Sequence, residues 1–183
     1  MARLIIGFAG KIAAGKTHSS KYLINKYQAD SCRFSSSLRD VAKRLYFPED
    51  RETLARLSLI LRQAFGEEVL AEVIFNDAKN AKADLVVIDG VRRQEDIKHL
   101  RSLPNFKFVY IEADSKIRFE RLNKRGENID DKSKTWEQFL ADHKLETEQS
   151  IPPLKKLASE VIDNNGPVAE LESKLDSLVL AID

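Results

Sequence analysis

Eight consecutive residues, Gly10-Lys11-Ile12-Ala13-Ala14-Gly15-Lys16-Thr17, satisfy the pattern G-x-x-x-x-G-K-[ST]. Each position suits the handling of an anion. The glycines let the backbone turn tightly and approach phosphate, and successive N–H groups with the following helix N-terminus face it. Lys16 supplies a point charge for β- and γ-phosphates, and Thr17 a hydroxyl for Mg2+. A pattern this short arises by accident in on the order of one chain in a hundred of this length, so context decides. Here the apolar run Leu4 to Phe8 leads directly in, and a helical segment from Lys16 to Tyr27 leads out. That is the strand–loop–helix setting the motif requires. His18, next in line, is grouped with the nucleotide-contacting residues, although its place also suits a helix surface.

A second acid follows another apolar run, Leu85-Val86-Val87-Ile88-Asp89-Gly90. A carboxylate at such a strand end is where a phosphate-loop fold completes the Mg2+ shell, so Thr17 and Asp89 form the expected metal pair. Arg92 and Arg93 come just beyond, where ligands bind in open α/β sheets, and their forks suit phosphate oxygens. Phe34 to Asp40 offers Ser35, Ser36 and Ser37, which read as a helix cap, and Arg39 in the first turn. Ser36, Arg39, Asp89 and Arg92 are therefore the candidates for acceptor contact. Arg118, Arg121 and Arg125 form an i, i+3, i+7 stripe before Gly126 and the polar stretch Glu127 to Lys134. A helix bearing arginines, a polar loop and a return helix from Thr135 make the layout of a lid, over about 121–136. Lys16, Arg92, Arg121 and Arg125 are the expected catalytic cations.

The elements that must position these groups show in the periodicity. Near-continuous apolar runs at Leu4–Phe8, Leu85–Ile88 and Phe106–Ile111 suit strands buried on both faces. Weaker strands are expected at Ser31–Ser35 and around Val161-Ile162. Helical spacing links Leu54, Leu57, Leu61 and Phe65, then Val69, Leu70, Val73 and Ile74, with Gly66 between. The same spacing joins Trp136, Phe139, Leu140 and His143, and Val168, Leu171, Leu175 and Leu178. Pro167 suits a first helical residue. Strands alternating with helices imply a three-layer α/β fold with a parallel sheet. The 183 residues suggest one domain, and 43% apolar with 32% charged residues are ordinary for a globular chain. A net charge of +1 gives no field for nucleic acid or membrane, and no run approaches the ~20 apolar residues of a bilayer span. The lone cysteine, Cys32, excludes an internal disulfide and suits a reducing cytoplasm. His18, His99 and His143 lack metal-ligand spacing.

The chain resembles the P-loop kinases related to adenylate kinase and dephospho-CoA kinase, and within them a poorly characterised archaeal branch. The likeness runs over nearly the whole length. It rests on the loop start, Ser36-to-Arg39, Ile88-Asp89-Gly90-Val91-Arg92, Arg118 to Gly126, Trp136 to Phe139, and Ile162 to Gly166. It implies a five-stranded parallel sheet in the order 2-3-1-4-5, a lid, and a helical acceptor-binding region at about 36–80. It also implies that ATP is the donor, that Arg39 and Arg92 hold the acceptor's phosphate, and that the loop from Asn164 to Pro167 lies beside the adenine, with Asn165, Gly166 and Pro167 as its nucleotide contacts. Val91 stands where adenylate kinases usually carry proline, which argues against AMP as acceptor. Serines replace the acid that dephospho-CoA kinases usually place after the second strand; Asp40 is the nearest substitute base. The leading expectation is ATP- and Mg-dependent phosphoryl transfer to a nucleoside monophosphate. Transfer to a hydroxyl, as in a dephospho-CoA kinase, is the alternative. A nucleotide-binding switch is the third reading; neither Asn25-Lys26 nor Asn123-Lys124 leads into the Asn-Lys-x-Asp of a guanine site.

Overall fold

A computed structural model of the chain describes residues 2–125, 134–144 and 146–181. Five strands, β1 (Leu4–Ala9), β2 (Asp30–Arg33), β3 (Leu85–Asp89), β4 (Phe106–Glu112) and β5 (Glu160–Asp163), form one sheet in the order β2-β3-β1-β4-β5. Every neighbouring pair is parallel. Parallel neighbours need crossovers. Helix α1 (Lys16–Tyr27) links β1 to β2. Helices α2 (Phe34–Arg44), α3 (Arg51–Phe65) and α4 (Val69–Asn80) link β2 to β3. After β4 come α5 (Ser115–Arg125), α6 (Trp136–Asp142) and α7 (Glu146–Gln149), and α8 (Val168–Leu180) follows β5.

Strand β1 lies at the centre and is buried throughout, so its alternate side chains feed two cores. Leu4, Ile6 and Phe8 meet Leu23 of α1 and Leu171 and Leu175 of α8. Ile5 and Ala9 face the other way, toward Ile74 and Ala78 of α4 and toward Ile151 and Leu154. Burial on both faces is why β1, β3 and β4 read as continuous apolar runs. The edge strands carry a fainter signal. Strand β2, with the sequence Asp-Ser-Cys-Arg, has no fully buried residue, and it ends at Arg33 rather than Ser35.

That early end changes the local picture. Helix α2 starts at Phe34, directly out of the strand, with Arg33 as the residue before it and no side-chain cap. The three serines therefore lie inside the helix and cap nothing, and Arg39 falls in the second turn rather than the first. Caps appear elsewhere: Asp50 accepts the Thr53 N–H at 2.8 Å, and Thr135 with Gln138 forms a reciprocal capping box. Gly66 ends α3 at φ 99°, as expected of a break. Pro167 precedes α8 as its cap residue, and the helix proper begins at Val168. A smaller core of Leu38, Ala42, Leu54 and Leu70 holds α2, α3 and α4 together. Among the described residues no helix is long and apolar enough to cross a membrane.

Candidate active site

The phosphate loop leaves the carboxyl end of β1. Gly10 and Gly15 stand at φ 146° and 120°. A Cβ on Gly10 would strike the Ile111 carbonyl, and one on Gly15 the side-chain amide of Asn164. Conformation and space thus both require glycine at the two motif positions. Ala13, at φ 58°, takes a left-handed turn without that freedom. Lys16 folds back across the loop and donates to the carbonyls of Gly10 at 2.5 Å and Lys11 at 3.1 Å.

Around the loop lie groups from distant elements. Asn164, buried after β5, donates its amide to the Ala14 carbonyl at 2.8 Å. Arg118 of α5 is 2% exposed and donates to the Ile12 carbonyl at 3.2 Å. It also donates to the Ala113 carbonyl, to the Ser115 hydroxyl and to His143 Nε2. Its guanidinium rests on the Phe139 ring, 5.3 Å from the centroid. Burial lowers the Arg118 pKa against the attraction of Glu148. Burial, then Arg118 and Lys11, pushes the His143 imidazole below its ordinary value, so neutral Nε2 is the acceptor. The Ile12 N–H points to the Glu148 carboxylate at 3.5 Å.

The acid at the end of β3 is next to the loop. Gly7 pairs with Ile88, so Asp89 lies level with Phe8 on the adjacent strand. Its carboxylate forms an ion pair with Arg33 at 3.3 Å, its register partner on β2. Beyond it, buried Asp96 accepts the backbone N–H groups of Arg92 and Arg93 at 2.9 and 3.0 Å. Burial raises the Asp96 pKa while those two N–H groups and Arg62 oppose the rise. Arg62 of α3 approaches Asp96 at 3.7 Å and so ties the helical region to this turn. The Arg92 guanidinium is exposed and has no partner among the described residues.

Several predicted residues come together, and others do not. Arg121 donates to the carbonyls of Asn164 at 2.8 Å and Gly166 at 3.3 Å, joining α5 to the loop after β5. Asn165 accepts the Asp114 N–H at 2.7 Å. Arg39 is held instead by the Glu49 carbonyl at 3.0 Å, and Ser36 is exposed on α2. His18 pairs with Glu172 of α8 at 2.9 Å. Burial pushes the half-buried Cys32 thiol up to about 11, consistent with packing rather than reactivity. The Arg125 side chain and residues 126–133, the middle of the predicted lid, lie outside the described residues. Sequence reading missed Asp96, and it took Asn164 only as the start of the loop beside the base, not as a brace of the phosphate loop. Arg118 was visible only as one member of a stripe, with nothing to set it apart from Arg121.

The chemistry of the donor set fits a phosphate chain and a hard cation. Among the described residues Ala13 N–H and Gly15 N–H have no acceptor. Unfilled N–H groups on such a turn form an anion cradle. The Thr17 hydroxyl and the Asp89 carboxylate are oxygen ligands of the kind Mg2+ takes.

The family model described as an AAA domain matches residues 6–146. A UPF0200 protein of Pyrococcus abyssi is 29% identical over 184 residues, covering 98% of this chain and 97% of its own. Another, of Thermococcus gammatolerans, is 31% identical over 134 residues, 70% of each chain. Among solved structures, shikimate kinase from Bacteroides thetaiotaomicron superposes with a TM-score of 0.60, at 16% identity over 98% of both chains. The loop, the sheet order and these matches agree: the chain has a kinase-like P-loop fold and belongs to the AAA-domain family and, with those relatives, to the UPF0200 proteins.

Proposed function

We propose that this chain transfers the γ-phosphoryl group of ATP, with Mg2+, to the phosphate of a small nucleotide-like acceptor, most simply a ribo- or deoxyribonucleoside monophosphate. One observation carries the reading. A complete phosphate loop shares its sheet edge with an acid, Asp89, and with an arginine, Arg92, whose backbone is fixed while its guanidinium is exposed and unengaged among the described residues. Phosphoryl transfer needs positioning and charge neutralisation more than a strong base, and these groups provide both. The fold shared with a shikimate kinase suits the same chemistry.

When bound, Mg-ATP supplies the transferable group and the metal's charge. The loop N–H groups and Lys16 hold phosphate oxygens. Thr17 and Asp89 offer oxygen ligands to the metal, which requires Asp89 to exchange its Arg33 partner. Arg92 orients the acceptor phosphate, with Ser36 and Arg39 on the acceptor-binding helices, about 36–80. Arg121 orders the Asn165–Pro167 loop beside the base, and Arg125 serves the lid, about 121–136. A soluble cytoplasmic protein suits these substrates and the single thiol.

The test is a coupled ADP-release assay with Mg-ATP and a panel of nucleoside monophosphates plus dephospho-CoA. Strong turnover with one monophosphate is expected, and Lys16→Ala should reduce it by more than about a hundredfold with the fold intact. Undiminished turnover in that variant refutes the loop mechanism. A signal with dephospho-CoA alone moves the acceptor group from phosphate to hydroxyl. Silence across the panel with ATP still bound favours a nucleotide-binding switch.

A further inference from the structure

Two buried side chains grip the phosphate loop from behind. Arg118 Nη1 donates to the Ile12 carbonyl at 3.2 Å, and Asn164 Nδ2 donates to the Ala14 carbonyl at 2.8 Å. Each is at most 5% exposed. They come from different elements, α5 and the loop after β5, and neither belongs to the phosphate-binding motif. The two carbonyls they hold are the ones preceding Ala13 and Gly15.

The geometry of the peptide unit gives this pairing a consequence. In a planar trans peptide the C=O and the next residue's N–H point in opposite directions. The chain has no cis peptide among the described residues. Holding the Ile12 carbonyl toward Arg118 therefore turns the Ala13 N–H away from it. Holding the Ala14 carbonyl toward Asn164 does the same for the Gly15 N–H. Both are among the loop N–H groups left without an acceptor among the described residues. Ala13 also occupies a left-handed conformation, φ 58°, which a non-glycine residue keeps only when its surroundings impose it.

We propose that Arg118 and Asn164 are positioning residues that fix the Ile12–Ala13 and Ala14–Gly15 peptides so that their N–H groups present a preset cradle to nucleotide phosphate. The recorded hydrogen-bond partners of Arg118 are all neutral: two carbonyls, a hydroxyl and an imidazole nitrogen. The acid that attracts the guanidinium is Glu148, which faces the Ile12 N–H of the same loop. Arg121 extends the same linkage, since it donates to the carbonyl of Asn164 itself. The loop is set by α5 and by the segment after β5, and not by the motif alone. The inference rests on the nucleotide-binding part of the reading above and is independent of the acceptor.

The experiment uses ADP, Mg-ATP and adenosine with the full chain. Binding is measured by calorimetry, and the Ala13 and Gly15 amide signals are followed by NMR. In wild-type protein both amide protons should move downfield on addition of ADP. Arg118→Met and Asn164→Ala should each weaken ADP and Mg-ATP by about tenfold or more, the scale of a lost charged or buried hydrogen bond. Adenosine affinity should stay within about twofold, since an unpreset cradle touches no base. Arg118→Lys should recover part of the loss. In Arg118→Met the Ala13 shift should disappear, and in Asn164→Ala the Gly15 shift. A merely structural role would lower melting temperature and weaken all three ligands together, and that outcome overturns the proposal. So does unchanged ADP affinity in both variants. If Arg118→Met does not fold, Asn164→Ala carries the test alone, because it removes one donor and leaves every charge. Wild-type protein that binds neither ADP nor Mg-ATP instead overturns the nucleotide reading, and the proposal with it.

Discussion

Arg92 and Arg39 were both expected to hold the acceptor's phosphate, each an arginine close behind a strand, yet the fold separates them. Asp96 clamps the Arg92 backbone and leaves its guanidinium exposed, whereas the Arg39 side chain is occupied by the Glu49 carbonyl. Binding phosphate through Arg39 would first cost that bond; through Arg92 it costs none. Arg92→Ala should therefore raise the acceptor KM by about tenfold or more, the loss of a charge-assisted contact, and leave ATP affinity within about twofold. Arg39→Ala should have a smaller effect on the same KM. Steady-state kinetics with the monophosphate found in the panel assay measure both, and a fall in ATP affinity for Arg92→Ala would reassign that residue to the donor side. What was legible here was local. Gly10, Gly15, Lys16 and Thr17 are recognised by spacing within eight residues. Asp96, Asn164 and the role of Arg118 depend on contacts between residues as much as 150 positions apart, as in Asn164 with Ala14, and no spacing rule reaches that far.

Between elements, the contact of α5 with α6 joins the phosphate loop to the helix that opens at Trp136. Phe119, Trp136 and Phe139 pack ring on ring at 5.3 to 5.5 Å between centroids, and His143 stacks edgewise on Phe139 at 4.6 Å while accepting from Arg118. The periodicity of Trp136, Phe139 and His143 foretold the helix face but not its charged partner. Burial first, then the charges of Arg118 and Lys11, holds the His143 pKa below the ordinary 6.5. The unfolded chain thus takes up the proton at a higher pH than the folded one. Stability from this site is complete above that ordinary value and is lost as pH falls below it toward the lower folded pKa. His143→Gln, which keeps a polar side chain but cannot titrate, should lose less melting temperature than wild type between about pH 7.5 and 5.5. Parallel losses in the two proteins would show that His143 protonates without disturbing Arg118. The same scale shows why helix α2 was misread at its start. A cap needs an extended residue ahead of the helix with a side chain that can turn back, and Arg33 fills that position after the strand ends early.

Across the whole molecule, the sheet divides most of the interior into two layers, and its three inner strands were legible because they are buried on both faces, whereas their order came from the family resemblance. Strand β5 was faint for the opposite reason: only Ile162 of its four residues is buried. The two layers meet chiefly through the backbone of the sheet. Ile5 belongs to the layer of α4, and Ile162 to the layer of α1 and α8. They are two strands apart, about 10 Å by strand spacing, and point to opposite faces. Methyl deletions at such sites leave separate small voids with no common neighbour. Ile5→Val and Ile162→Val should each cost about 1 kcal/mol. The double variant should equal their sum within about 0.5 kcal/mol, the usual limit for sites without shared partners. Urea unfolding, with unchanged m-values as the control for two-state behaviour, measures all three. A double variant clearly less stable than the sum would mean that a void in one layer shifts strands β1 and β4 enough to loosen the other. The phosphate loop, which leaves β1 and is braced from beyond β4 and β5, would then be sensitive to packing on either face of the sheet.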